Sequence, residues 1–172
     1  QAAGVLDNES VYRALKDMTG VDLSNSATWQ NNVYLSQPLY GLGAGSLDLM
    51  LSDTTPPSLT YDCVRFAYAV LARAIRYSGG NPSDYIKGIN YPKDFPDKSL
   101  AGATAYSDPS NAEPGDIIEY TGTMGHLDVV LGRDASGNLW TIGGSYSGHG
   151  PIVRMYTGVS GSGGYTASFY RL

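Results

Sequence analysis

Between Cys63 and Ile75 the residues Cys63, Phe66, Ala67, Val70, Leu71, Ala74 and Ile75 recur at i, i+3, i+4, i+7, i+8, i+11 and i+12. This is the spacing of one face of an α-helix, and an apolar stripe that long has to be buried against another layer. It predicts a core helix from Cys63 to Ser78. Asp62 or Thr60 can cap its start, Arg73 and Arg76 sit near its C-terminal end where the helix dipole favours cations, and Gly79-Gly80 closes it. The only Cys of the chain therefore falls in the first turn of its most strongly patterned helix.

A chain of 172 residues is one domain's worth of sequence. With 42% apolar and 16% charged residues it is too apolar and too weakly charged to stay disordered. The longest apolar run, Phe66 to Ala72, is stopped by Arg73. That is far short of the roughly 20 residues a spanning helix needs, so no membrane insertion is expected. The formal charge of −5 makes nucleic acid a poor partner, since its binders carry a basic excess. The chain begins at Gln1 without a leader, as expected of a mature product after signal-peptide removal. Together with 14 Tyr and 22 Gly, this gives a secreted or periplasmic location as the expectation.

A short helix is predicted from Glu9 to Met18, with Val11, Leu15 and Met18 on one face and Gly20 beyond its end. Residues 21–59 read mostly as loop. Residues 1–58 are thus expected to be an N-terminal extension wrapping a core of residues 59–172, the whole forming one domain. Residues 81–115, with Pro82, Pro92, Pro96, Pro109 and Pro114, read as a long loop with one helical turn after Ser83. After Pro114-Gly115 the pattern changes to strands: Asp116 to Tyr120, His126 to Gly132, Asn138 to Ile142, Ile152 to Tyr156 and Tyr165 to Tyr170. The expected architecture is α+β, with helices first and then an antiparallel meander of about five strands.

A lone Cys excludes an internal disulfide framework and a zinc site built on several thiolates, and no metal or cofactor is expected. It leaves an inert core thiol, an intermolecular bridge or a nucleophile. In a first helical turn the dipole and the unsatisfied N–H groups favour the thiolate, and a neighbouring imidazolium favours it further. The two His are His126, opening the most apolar strand, and His149 between Gly148 and Gly150. A helix-start Cys facing a strand-start His is the layout of papain-like cysteine hydrolases. A hairpin turn over Asp134–Gly137 would set Arg133 opposite Asn138 and so His126 opposite Ser145, whose hydroxyl or carbonyl could orient the ring. Asp128, two residues along on the same face, and His149 compete for that role. The plainer alternatives are a core thiol, a structural His126, a turn-forming Ser145, a solvated Asp128 and an Asp62 that only caps the helix.

Tyr61-Asp62-Cys63-Val64-Arg65-Phe66, then Glu113-Pro114-Gly115-Asp116-Ile117-Ile118-Glu119-Tyr120, then Gly125-His126-Leu127-Asp128-Val129-Val130, resemble the three signature blocks of the NlpC/P60 superfamily. These are papain-like cysteine peptidases and amidases of bacterial cell walls, related to the CHAP amidases. The resemblance covers roughly residues 60–145. It implies a papain-like fold, Cys63 as nucleophile, His126 as base, Ser145 of Ile142-Gly143-Gly144-Ser145 as third residue, and Tyr61 at the oxyanion or substrate site. It also implies peptidoglycan or its peptide fragments as the partner, with an inhibitor or immunity protein as a further one. The family's usual Asp-Cys-Ser-Gly is here Asp62-Cys63-Val64-Arg65, which departs from its recognition of a stem-peptide amine by Asp and Ser. Arg65 is instead expected to pair with a substrate carboxylate. A non-catalytic wall- or partner-binding module and an acyltransferase or amidase acting on another amide are the alternative functions.

Overall fold

The structure is a computed structural model and describes residues 6–35, 62–88, 100–121, 125–144, 150–158 and 166–172. Helix α1 (Asn8–Thr19) starts where the Asp7 carboxylate accepts the Ser10 N–H at 2.7 Å. It stops at Gly20, whose φ of 75° only glycine adopts freely. Helix α2 (Cys63–Tyr77) is capped by Asp62, whose Oδ1 accepts the Arg65 N–H at 2.8 Å. Of the two caps the sequence offered, Asp62 is the one used. Val11, Ala14, Leu15 and Met18 of α1 pack with Phe66, Ala67, Val70, Leu71 and Ile75 of α2 in one core. The α1 segment is therefore part of that core rather than only a wrapping around it.

Seven strands form one antiparallel sheet: β1 (Val33–Tyr34), β2 (Thr104–Tyr106), β3 (Ile117–Thr121), β4 (His126–Arg133), β5 (Leu139–Gly143), β6 (Ile152–Met155) and β7 (Thr166–Arg171), in the order β1-β6-β5-β4-β3-β7-β2. The expected count of about five is corrected to seven. The two strands not foreseen have two and three residues, too short to show an alternation, and both close an edge of the sheet. The meander holds only from β3 to β6. β7 crosses back to pair β3, with Ile118 opposite Phe169, where a continued meander would have placed it beside β6. Residues 21–35, 81–88 and 100–115, expected as loop with one helical turn after Ser83, contribute β1, β2 and 3-10 turns at Ser26–Thr28, Pro82–Asp84 and Pro109–Asn111.

Strand alternation divides the buried residues between two faces. Ile117, Leu127, Val129, Leu131 and Ile142 join the helices, whereas Ile118, Tyr120, Val130, Leu139 and Phe169 form a second, smaller cluster. Asp116, expected in a strand, instead precedes β3. Its buried carboxylate accepts the Glu113 N–H at 3.0 Å, the Tyr106 hydroxyl and the Arg171 guanidinium at 2.8 Å, tying β2 and β7 to the Pro-Gly-Asp turn.

The β4–β5 hairpin decides which residues share a face with His126. Its turn is one residue longer than expected, pairing Arg133 with Leu139, because the Asp134 side chain accepts from the Ser136 and Asn138 N–H groups. A one-residue slip would turn every later side chain to the other face. A bulge between Val130 and Gly132 removes the slip, and Val129 pairs with Ile142 in the register expected from the sequence. Gly132 sits there at φ 132°, and the Leu131 carbonyl accepts from the Tyr12 hydroxyl of α1 at 2.7 Å.

Candidate active site

Capping by Asp62 makes Cys63 the first residue of α2, and the hairpins make His126 the first residue of β4. These two ends come together, and Cys63 bears on the His126 imidazole, favouring its protonated form. Cys63 is 6% exposed, whereas the His126 side chain keeps 24% of its surface open. On its other side the imidazole Nε2 lies 2.6 Å from Asp128 Oδ1. Asp128 is buried, and its Oδ2 accepts from the buried Thr141 hydroxyl at 3.0 Å. His126, Asp128 and Thr141 thus form one chain of hydrogen bonds across two strands, with Cys63 at its His126 end.

The electrostatics follow from that chain. Burial pulls the His126 pKa down, but the Asp128 charge and hydrogen bond, and then the Cys63 contact, outweigh it and raise the imidazole to about 10. Burial likewise pushes Asp128 up, and the His126 charge and hydrogen bond, with help from Arg154 and Thr141, hold it below the usual carboxylate value. The Tyr120 ring stacks on His126 with centroids 6.0 Å apart. Burial first, then the Asp128 charge, raises the Tyr120 phenol, which stays a neutral wall of the site.

Of the candidate orienters, Asp128 lies among the described residues, and it is in contact with His126. Ser145 and His149 lie outside the described residues, as does Tyr61. Asp62 caps α2, and its Oδ2 also pairs with the Arg65 guanidinium. Thr141 and Tyr120 were missed by the sequence reading. The hairpin register used to place Ser145 also puts Thr141 opposite Val130 on the Asp128 face, so the signal for Thr141 was present. Tyr120 needed the β3–β4 pairing, which sets it directly opposite His126.

Gly143 shows how closely the carboxylate is held. A Cβ there would overlap Asp128 Oδ1 and come within 3.0 Å of Asp128 Cγ and 3.1 Å of the Leu127 carbonyl oxygen. Gly143→Ala is therefore expected to push Asp128 off His126 and to cost about 1–3 kcal/mol, or roughly 2–4 °C in Tm per kcal/mol. An NMR titration checks it: the His126 pKa should fall, because burial is then less opposed. An unchanged titration would show that the carboxylate has room to spare.

Among the described residues no group of three or more His, Cys, Asp and Glu could hold a metal ion, and no helix is long and apolar enough to cross a membrane. No family model, curated protein or solved structure matches the chain.

Proposed function

We propose that the protein is a papain-like cysteine hydrolase, of NlpC/P60 type, that cleaves an amide bond in peptidoglycan stem peptides outside the cytoplasm. The observation that carries this reading is the grouping of Cys63, His126 and Asp128, with a thiol at a helix N-terminus bearing on an imidazole that Asp128 holds protonated up to about pH 10. An imidazolium beside a thiol stabilises the thiolate, the attacking form. In the reaction the Cys63 sulfur attacks the amide carbonyl, and His126 gives its proton to the leaving amine. A water, deprotonated by His126, then releases the acyl group. The Asp62 carboxylate takes the Arg65 N–H and its carbonyl takes the Phe66 N–H. The Cys63 N–H, one turn earlier, is left to the oxyanion. The wall substrate, the extracellular location, and an inhibitor or immunity protein as partner come from the resemblance of the three sequence blocks.

A second reading has an observation of its own: Cys63 is only 6% exposed and lies in the main core, as an inert thiol would in a wall- or partner-binding module. Alkylation separates the two. Iodoacetamide is expected to modify Cys63 readily at pH 6, and the protein to release new amino groups from purified peptidoglycan. A thiol inert up to pH 9 would establish the binding module. A reactive thiol that leaves peptidoglycan intact would point to acyl transfer or another amide.

A further inference from the structure

Arg154 lies on the sheet face that carries His126 and Asp128 and has no assigned task. It stands on β6 directly opposite Thr141 of β5. Cross-strand partners project from the same face of a sheet. Thr141 uses that face to reach Asp128, so Arg154 projects toward the His126–Asp128 pair. Its charge acts on Asp128 and on Tyr120, the ring stacked on His126.

Asp128 is nevertheless not its ion-pair partner. One carboxylate oxygen is taken by His126 and the other by Thr141. Among the described residues none accepts a hydrogen bond from the Arg154 guanidinium or lies at ion-pair distance from it, although the residue is half-buried. A guanidinium presents five N–H donors in a planar fork that matches a carboxylate in two parallel hydrogen bonds. Arg65, the cation expected for this purpose, is paired with Asp62 at the helix cap.

From this arrangement we infer that Arg154 binds a free carboxylate of the substrate, close to the amide that Cys63 attacks. The inference rests on the hydrolase reading above and narrows its substrate class to peptides carrying an acid group near the scissile bond. Arg154 would be a specificity residue: it sets which peptides are held and takes no part in the proton transfers.

Two haloacetyl reagents of nearly equal size, one anionic and one neutral, test this without a known substrate. In the wild-type protein at low salt, the rate of Cys63 alkylation by iodoacetate relative to iodoacetamide is expected to exceed that of Arg154→Gln by about three- to tenfold, and added salt should shrink the difference. Arg154→Lys should keep most of the preference. With peptidoglycan fragments, Arg154→Gln should raise KM by about tenfold and change kcat less, because a charged hydrogen-bonded pair is lost. Amidating the fragments' carboxylates should remove that difference.

An iodoacetate-to-iodoacetamide ratio equal in wild type and Arg154→Gln, with Cys63 still reactive, would overturn the carboxylate site and leave the hydrolase standing. A loss of both rates together would also overturn it, marking Arg154 as a structural counter-charge. A Cys63 inert to both reagents would overturn the hydrolase reading, and this inference with it.

Discussion

Replacing Cys63 by Ala is expected to reduce release of new amino groups from purified peptidoglycan to the uncatalysed background, a loss on the order of 10⁴-fold or more. Removing a catalytic nucleophile abolishes the covalent route altogether, and what survives is binding and oxyanion stabilisation. The structural cost should be small. Cys63 is a small residue at the edge of the core, so the loss is about 1 kcal/mol, or roughly 2–4 °C in Tm for a chain of this size. Circular dichroism and thermal melting check the fold, and amino-group assay checks the activity. Undiminished hydrolysis by a folded Cys63→Ala protein would remove Cys63 from the mechanism.

The second large effect concerns Asp128. Asp128→Asn keeps the shape but removes the charge that holds the proton on His126. Burial then acts with less opposition, and the imidazole pKa is expected to drop well below about 10. Activity should fall by about 10²–10⁴-fold, the range in which loss of an orienting carboxylate misplaces the tautomer. The carboxamide can also present its NH₂ to the ring, favouring the wrong nitrogen.

The same pair sets a signature in stability against pH. The folded-state pKa of His126 is raised, so its contribution is complete below the unfolded value of 6.5 and is lost as pH rises through about 10. Asp128 is lowered, so its contribution is complete above 3.8 and is lost as pH falls through its folded value. Tm should therefore decline on both limbs in the wild type. Both declines should be shallower in Asp128→Asn. Identical profiles in the two proteins would mean that the pair carries no net stabilisation.

Much of the scaffold was legible because it rests on local rules. The apolar stripe of α2, its Asp62 cap and the Gly-terminated end of α1 each involve residues within a few positions of one another. β3 to β7 were readable from their alternation. The edge strands β1 and β2 were not, since two or three residues have no period and become strands only when β6 and β7 offer them hydrogen-bond partners. The return of β7 to β3 was hidden for a related reason. A meander is merely the shortest path, whereas the pairing is decided by Phe169 packing with Ile118 and by Arg171 reaching Asp116. In the candidate site, Cys63 and His126 were found from helix phase and strand start. The Asp128 contact with His126 was left open among three candidates, because it depends on side-chain direction and on the space above Gly143.

The bulge at Leu131 is the clearest case of compensation. From sequence, a short turn gave the face of His126 and Asp128; in the fold, a longer turn and an extra residue give the same face. Strand pairing in steps of two tolerates paired errors of one, so the register at Val129 and Val130 is the expected one although the path to it is not.

By itself the sequence determined where the helices begin, that a lone thiol stands at the first turn of one of them, and that a histidine opens an apolar strand, because these depend on spacing along the chain. Only the tertiary structure decided that the thiol and the imidazole come together, that Asp128 and Thr141 stand behind the imidazole, and that Arg154 shares the face of His126 and Asp128. Those contacts join residues far apart in the chain, and they exist only once sheet register and helix packing have set the distances.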